Sequence, residues 1–236
     1  MATDVSRRRF VSTLGAGAAS LAAGAALAAE AAPTGPAESV LKIIGVACSL
    51  RAGKTTAQAL GICLEAAKAV APQRIEVELI ELAGLKIPAQ LAAGLPLEPG
   101  ERDDFPQVEA KLSDPQVAAI IVGTPVYFAN MSALCKAFIE RCGVFRKNDF
   151  ALSGKVAGVV AVGAARNGGQ ELVIRSVQAS LMCHEMLVIG DGRPTSHFGG
   201  TLWNDGKDDI SKDDFGVGTV QNLGRHVARV ALARKA

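Results

Sequence analysis

The chain has no C-x-x-C pair, no block of basic residues beyond its first ten positions, and no complete triphosphate-binding loop. Each absence closes off a class of function. The five cysteines, Cys48, Cys63, Cys135, Cys142 and Cys183, offer no local ligand set for zinc or an iron–sulfur cluster. Cys135 and Cys142 fall on one predicted helix, about 10 Å apart by the helical rise, which is beyond the reach of a disulfide. These thiols read as small buried hydrophobes. Lys and Arg number 25 against 23 Asp and Glu. Without the first thirty or so residues the balance stays near neutral, which argues against nucleic acid or an anionic membrane as partner. Gly53-Lys54-Thr55 matches the end of G-x-x-x-x-G-K-[ST], but the first glycine of that pattern falls on Cys48. Neither the strand that runs into Thr124 nor the one that runs into Ala164 ends in the carboxylate that a magnesium-dependent NTPase requires.

What is present begins with an export signal. Ser6-Arg7-Arg8-Arg9-Phe10-Val11 is followed by a soft Ala/Gly run and by small-residue exits at 26–31. A basic head, a short apolar middle and a small-residue cleavage region are the parts of a secretory signal, and the paired arginines specify the twin-arginine type. The expectation is a cleaved signal over 1–32, a linker over 33–39 and one domain over 40–236. The partners expected from it are the twin-arginine export machinery and a periplasmic or otherwise exported location. No stable membrane span is expected in the mature form, because Ala and Gly insert weakly.

The rest alternates strand and helix. Apolar or alternating runs predict strands at 40–47, 75–82, 117–123, 155–163 and 186–190. Periodicity predicts helices at 55–70, 105–112, 132–144, 170–183 and 213–234. The 83–106 stretch reads as a loop excursion, and 192–212 as a polar, glycine-rich loop. Five such alternations predict an α/β fold: a doubly wound five-stranded parallel sheet in the flavodoxin-like order 2-1-3-4-5, with helices on both faces.

Ligands of such sheets sit at the carboxyl ends of the strands. Three loops there carry chemistry. The first, Cys48 to Thr56, enters a helix whose free N–H groups favour a phosphate. Ser49, Thr55 and Thr56 add hydroxyls, while Arg51 and Lys54 add charge. The second follows the third strand. Pro125 pushes Thr124 out of helical dihedrals, so a strand end, a proline-stiffened loop and a helix from about Ser132 are expected. Tyr127, Phe128 and Asn130 suit a flat heteroaromatic ligand, and their loop context favours ligand contact over core packing. The third loop holds Gly168 and Gly169, which let backbone approach a flat ligand.

Thr124 to Arg141 resembles, nearly residue for residue, the Pro-Val-Tyr-x-x-x-Met-Ser…Lys-x-Phe-x-[Asp/Glu]-Arg segment of the flavodoxin-like NAD(P)H-dependent FMN reductases. The branch it is most similar to contains the multimeric flavodoxins and iron–sulfur flavoproteins. Cys48 to Thr56, Arg166 to Glu171, and Leu223-Gly224-Arg225 resemble three further segments of the family in the same order. The resemblance implies FMN, with its phosphate on Ser49, Arg51, Lys54, Thr55 and Thr56. It implies a ring wrapped by Pro125, Val126, Tyr127, Phe128, Ala129, Asn130 and Met131, and a pyrimidine edge met by Arg166, Asn167, Gly168 and Gly169. It implies NAD(P)H as possible donor, a small acceptor such as a flavin or quinone, and a homodimer or homotetramer. The chemistry would lie on the flavin, so no catalytic acid or base is named. The alternative is an electron carrier or FMN-binding protein without turnover.

Two departures stand out. The branch's cysteine cluster has no counterpart between Ile87 and Asp104, so no iron–sulfur cluster and no metal are expected. The usual loop glycine is Cys48, for which a plain small-residue replacement is favoured over a redox-active thiol made acidic by a helix N-terminus. His184 is expected as a cation at a helix C-terminus, and His226 on a helix surface. The loop with His197, Phe198 and Trp203 is left between a substrate mouth and a subunit interface.

Overall fold

The structure is a computed structural model that describes residues 40–235; the expected signal (1–32) and linker (33–39) lie outside the described residues. Strand β1 (Leu41–Ala47) leads into helix α1 (Thr55–Lys68) and strand β2 (Ile75–Glu81). The excursion contains a 3-10 turn (Ala89–Ala93), and α2 (Phe105–Leu112) follows it. Next come β3 (Val117–Tyr127), β4 (Asn130–Met131), α3 (Ala133–Arg141) and α4 (Gly143–Lys147). The chain closes with β5 (Val156–Gly163), α5 (Gln170–Met182), β6 (Leu187–Val188), β7 (Gly200–Trp203) and α6 (Asp214–Lys235).

The parallel order is β2-β1-β3-β5-β6, which is the expected order in the strands' own sequence. The sheet has seven strands rather than five. One addition lies where the polar loop was expected. Strand β6 pairs only with Val156 and Ala157 of β5, whereas β7 pairs with Val160 to Gly163. The fifth sheet position is thus shared by two short strands with an excursion between them. The predicted 186–190 strand shrinks to two residues because Gly190 and the turn after it leave the ladder.

Period-two alternation sorts side chains into two cores. Ile44, Val46, Val122 and Val159 meet α2, α3 and α5, around Phe105, Phe138 and Phe145. Leu41, Ile43, Ile121 and Val160 meet α1 and α6 on the other face. Helices α1 and α6 approach so closely that a Cβ at Gly224 would lie 2.0 Å from the Cys63 carbonyl oxygen. Among the described residues no helix is long and apolar enough to cross a membrane.

The excursion is tied down by charge. Arg141, the last residue of α3, clamps Asp103 through both guanidinium nitrogens at 2.9 and 2.8 Å and stacks 4.7 Å over Phe105. That pairing holds the Asp103 carboxyl below its usual range. The arginine of the family-like motif is therefore scaffold.

Candidate functional site

The third strand does not stop at Gly123. It continues through Tyr127, and Thr124 and Pro125 pair with Ala161 and Val162 of β5. Proline is tolerated there for a reason of register. The Gly123 carbonyl accepts from Cys48 N–H on the β1 side, and Ala47 opposite Gly123 is the last residue of β1 in register. Residue 125 faces the same side, beyond the end of β1, where a missing N–H breaks no ladder bond.

The expected loop is instead a hairpin. Val126 pairs with Met131 and Tyr127 with Asn130, and the two-residue turn is Phe128-Ala129. Both turn residues have positive φ, 51° and 59°, the signature of a type I′ turn, which glycine and asparagine usually supply. Holding two non-glycine residues there costs roughly 1–2 kcal/mol each. Strain of this kind collects at ligand-binding sites. Phe128 is fully exposed and Tyr127 about half exposed (53%), so the core reading of this aromatic pair is excluded.

Ser132 ties the hairpin to the first loop. Its hydroxyl accepts from Cys135 N–H at 3.0 Å, capping α3, and donates to the Cys48 carbonyl at 2.7 Å. Its own N–H donates to Thr124 Oγ1 at 3.1 Å. Cys48 turns its side chain inward, fully buried, and burial beside Cys135 pushes the thiol well above the ordinary range. That burial runs against an acidic thiol at a helix end.

In the first loop, the Ser49 hydroxyl accepts from Arg51 N–H at 3.2 Å, and Thr55 and Thr56 sit buried in the first turn of α1. No side chain caps that helix, which leaves its N-terminus suited to an anion. The loop's cations are not free, however. Arg51 pairs with Asp208 at 2.7 Å and Lys54 lies 3.7 Å from the same carboxylate, while Glu81 accepts from Gly53 N–H at 2.7 Å. Asp208 lies in the stretch expected to be a polar loop, and nothing in its spacing marks it as a partner of the first loop. Asn204, after β7, reaches Thr55 Oγ1 at 3.4 Å.

The third loop presses on the hairpin. A Cβ on Gly169 would stand 2.9 Å from both Cα and Cβ of Ala129, and Gly169 has φ +99°. Buried Gln170 shapes the loop by accepting from Gly168 N–H at 3.0 Å and donating to the Ala165 and Leu202 carbonyls at 2.6 and 3.0 Å. Asn167 is exposed. Arg166 points elsewhere: its guanidinium pairs with Asp213, a buried carboxylate that caps α6 by accepting from Gly216 N–H. The signal for Asp213 in the sequence is its place just before a helix, a capping position. A cavity of about 370 Å³ opens beside this loop, lined by Arg166, Asn167, Gly169 and Gln170 among others. A larger groove of about 740 Å³ between α1 and α6 involves none of the three loops.

Two histidines differ from expectation. His184 is buried, and burial with Arg146 nearby pushes its ring below the usual range, against the cationic reading. His226 is half-buried, with Nδ1 3.0 Å from the Gly190 carbonyl.

Three comparisons place this geometry among known proteins. The NADPH-dependent FMN reductase family matches residues 41–200. An iron–sulfur flavoprotein of Methanocaldococcus jannaschii is 38% identical over 194 residues, covering 80% of this chain and 97% of the relative. An NAD(P)H dehydrogenase (quinone) of Trichlorobacter lovleyi is 34% identical over 119 residues, 50% of this chain and 52% of the relative. Among solved structures, a flavodoxin, WrbA-like protein of Agrobacterium tumefaciens shares the fold at a TM-score of 0.54 and 18% identity, covering 82% of this chain and 97% of the other.

Proposed function

The chain belongs to the NADPH-dependent FMN reductase family, and we propose that it binds FMN across its three carboxyl-end loops and passes electrons from NAD(P)H to a small organic acceptor. The observation that carries this reading is the convergence of an uncapped helix N-terminus, a strained aromatic hairpin and a glycine loop fitted against that hairpin. Ser49, Thr55, Thr56 and the first N–H groups of α1 would hold the phosphate, with Arg51 and Lys54 turning from Asp208 toward it. Residues 125–131 would wrap the ring, and Asn167, Gly168 and Gly169 would meet its pyrimidine edge, with Arg166 held away on Asp213. When bound, FMN supplies the hydride chemistry; the chain's residues position it and exclude water.

An iron–sulfur cluster, named for the archaeal relative, does not fit. No cysteine stands between Cys63 and Cys135, and four of the five cysteines are buried. The chain spans about half of the quinone dehydrogenase relative, so a quinone acceptor is a proposal. We further propose twin-arginine export of the FMN-loaded protein, supported by the arginine pair at the N-terminus, and a homo-oligomer, supported by the fully exposed Phe128. Outside the cytoplasm NAD(P)H is scarce, so a protein or quinone pool would then serve as donor.

The test is the purified protein. It should be yellow or take up FMN in a one-to-one titration, bleach with NAD(P)H, and turn over with a quinone. A protein that neither contains nor takes up FMN overturns the reading. One that binds FMN without turnover is the electron carrier instead. Cell fractionation and light scattering test export and oligomer size.

A further inference from the structure

Asp191, just after β6, is fully buried and organises a short loop. Its carboxylate accepts from the His197 backbone N–H and from the Thr195 hydroxyl, and Oδ2 lies 3.4 Å from His197 Nδ1. The Asp191 N–H donates to the His197 carbonyl at 3.2 Å, and Asn222 of α6 donates to Thr195 Oγ1 at 2.8 Å. A Cβ at Gly190 would stand 2.2 Å from the His197 carbonyl oxygen. Backbone, carboxylate and helix thus fix where this imidazole stands.

The ring is not buried with its carboxylate; 32% of the side chain remains exposed. With Nδ1 toward Asp191, Nε2 is on the far side of the ring, with no hydrogen-bond partner among the described residues. The ring stands edge-on to Phe215, with centroids 5.6 Å apart at 81°. His197 and Phe215 both line the 370 Å³ cavity, whose other wall is Arg166, Asn167 and Gly169. A loop clamp needs only acceptors for backbone N–H groups. It does not need an ionisable ring oriented by a carboxylate and left facing a cavity beside the third loop. Arg166, the cavity's guanidinium, is already paired with Asp213; Glu171 is its carboxylate.

We propose that this cavity receives the acceptor, a flat aromatic bearing ring carbonyls such as a quinone. His197 is its proton donor and Asp191 the positioning residue behind it. The inference rests on the flavin reading above. A quinone becomes a hydroquinone by gaining two electrons and two protons. Bound flavin would supply both electrons and one proton as a hydride equivalent, drawn in turn from NAD(P)H. The second proton leaves His197 Nε2 for the quinone oxygen. The ring stays as the Nδ1–H tautomer against Asp191 and takes a proton back from water. Phe215 offers an aromatic edge to the ring of the acceptor.

The test separates the two half-reactions by stopped flow and adds a binding readout without flavin. In His197→Gln, reoxidation by duroquinone should slow about a hundredfold, the usual contribution of a general acid. Reduction by NAD(P)H, FMN affinity and the melting temperature should not change. In His197→Ala, added imidazole should restore at least tenfold, and Asp191→Asn should slow reoxidation less than His197→Gln does. In flavin-free protein, duroquinone should shift the His197 ring resonances. Full reoxidation speed in His197→Gln, equal slowing of both half-reactions, no imidazole rescue, or unmoved His197 resonances would each overturn the proposal. Absence of FMN uptake would instead sink the flavin reading, and the flavin-free titration would still judge the cavity.

Discussion

The first loop and the hairpin lie at the same end of the sheet, joined through Ser132, yet they are held in place by different forces. Residues 49–56 are exposed except at Ser49, Thr55 and Thr56, and their cations lean on carboxylates, Arg51 and Lys54 on Asp208. The hairpin has no ion pair at its tip. Backbone pairing, two left-handed residues and the Gly169 contact define it. A charged loop can re-pair its side chains when an anion arrives, whereas a backbone-built hairpin must already have its shape. The first should therefore tune affinity through charge and salt, and the second should decide whether the ring binds at all.

The largest effect should come from Gly169→Val. Valine at φ +99° is forbidden, and its Cβ would meet Ala129 at 2.9 Å. FMN affinity, followed by flavin fluorescence, should fall at least a hundredfold, about 3 kcal/mol, with the far-ultraviolet dichroism unchanged. Wild-type affinity would mean the hairpin is not shape-determined. Ser132→Ala comes next. It removes the α3 cap and leaves the buried Cys48 carbonyl without its 2.7 Å donor, which should lower unfolding stability in urea by about 2 kcal/mol.

Charge that serves only as scaffold gives a third contrast. Arg141 holds the Asp103 carboxyl below its ordinary range, so the folded pKa lies under the unfolded one. The stabilisation is then present above the unfolded pKa of about 4 and fades as pH falls through the folded value. Asp103→Asn should lower stability at pH 7 by about 1.5 kcal/mol and flatten the acid limb of urea midpoints, leaving FMN affinity alone. A change in FMN affinity would place Arg141 in the site. Arg51→Ala should instead weaken FMN about tenfold, roughly 1.4 kcal/mol, spare riboflavin, and reduce the salt dependence. Asp208→Asn should strengthen FMN a few-fold, because it frees the same cations.

Sequence patterning made most of the scaffold legible. Apolar runs placed β1 and β5 and an alternating run placed β2, each within a residue or two, and 3.6-residue periodicity placed α2 and α5, because burial controls each pattern. The order of the five parallel positions followed from their alternation with helices. What stayed hidden rests on tertiary contact. Pro125 reads as a strand end, yet it sits inside β3 because its neighbour β1 has already stopped. Strand β7 carries one β-branched residue in four and forms only because β5 has an open edge there. Asp208 and Asp213 look like surface acids until the fold sets them against Arg51 and Arg166. The residues of the three loops were all visible as chemistry; the ion pairs and the turn that arrange them were not.

The smallest effect is also the sharpest test of the contrast, because it separates the hairpin's backbone from its side chains. Ala129 holds φ 59°, a conformation that glycine adopts without the Cβ clash. Ala129→Gly should therefore stabilise the protein by about 0.5 kcal/mol, net of the extra freedom of the unfolded chain. That raises the melting temperature by about 1–2 °C for a domain of this size. The turn geometry stays the same, so FMN affinity should stay within twofold. Phe128→Gly relieves the neighbouring φ of 51° in the same way but also removes a fully exposed ring. It should give a similar gain in melting temperature together with a several-fold loss of FMN affinity if that ring touches the ligand. A tenfold loss in Ala129→Gly would show that the alanine methyl, and not the path of the backbone, makes the contact. The hairpin would then belong with the first loop as a site read by side chains.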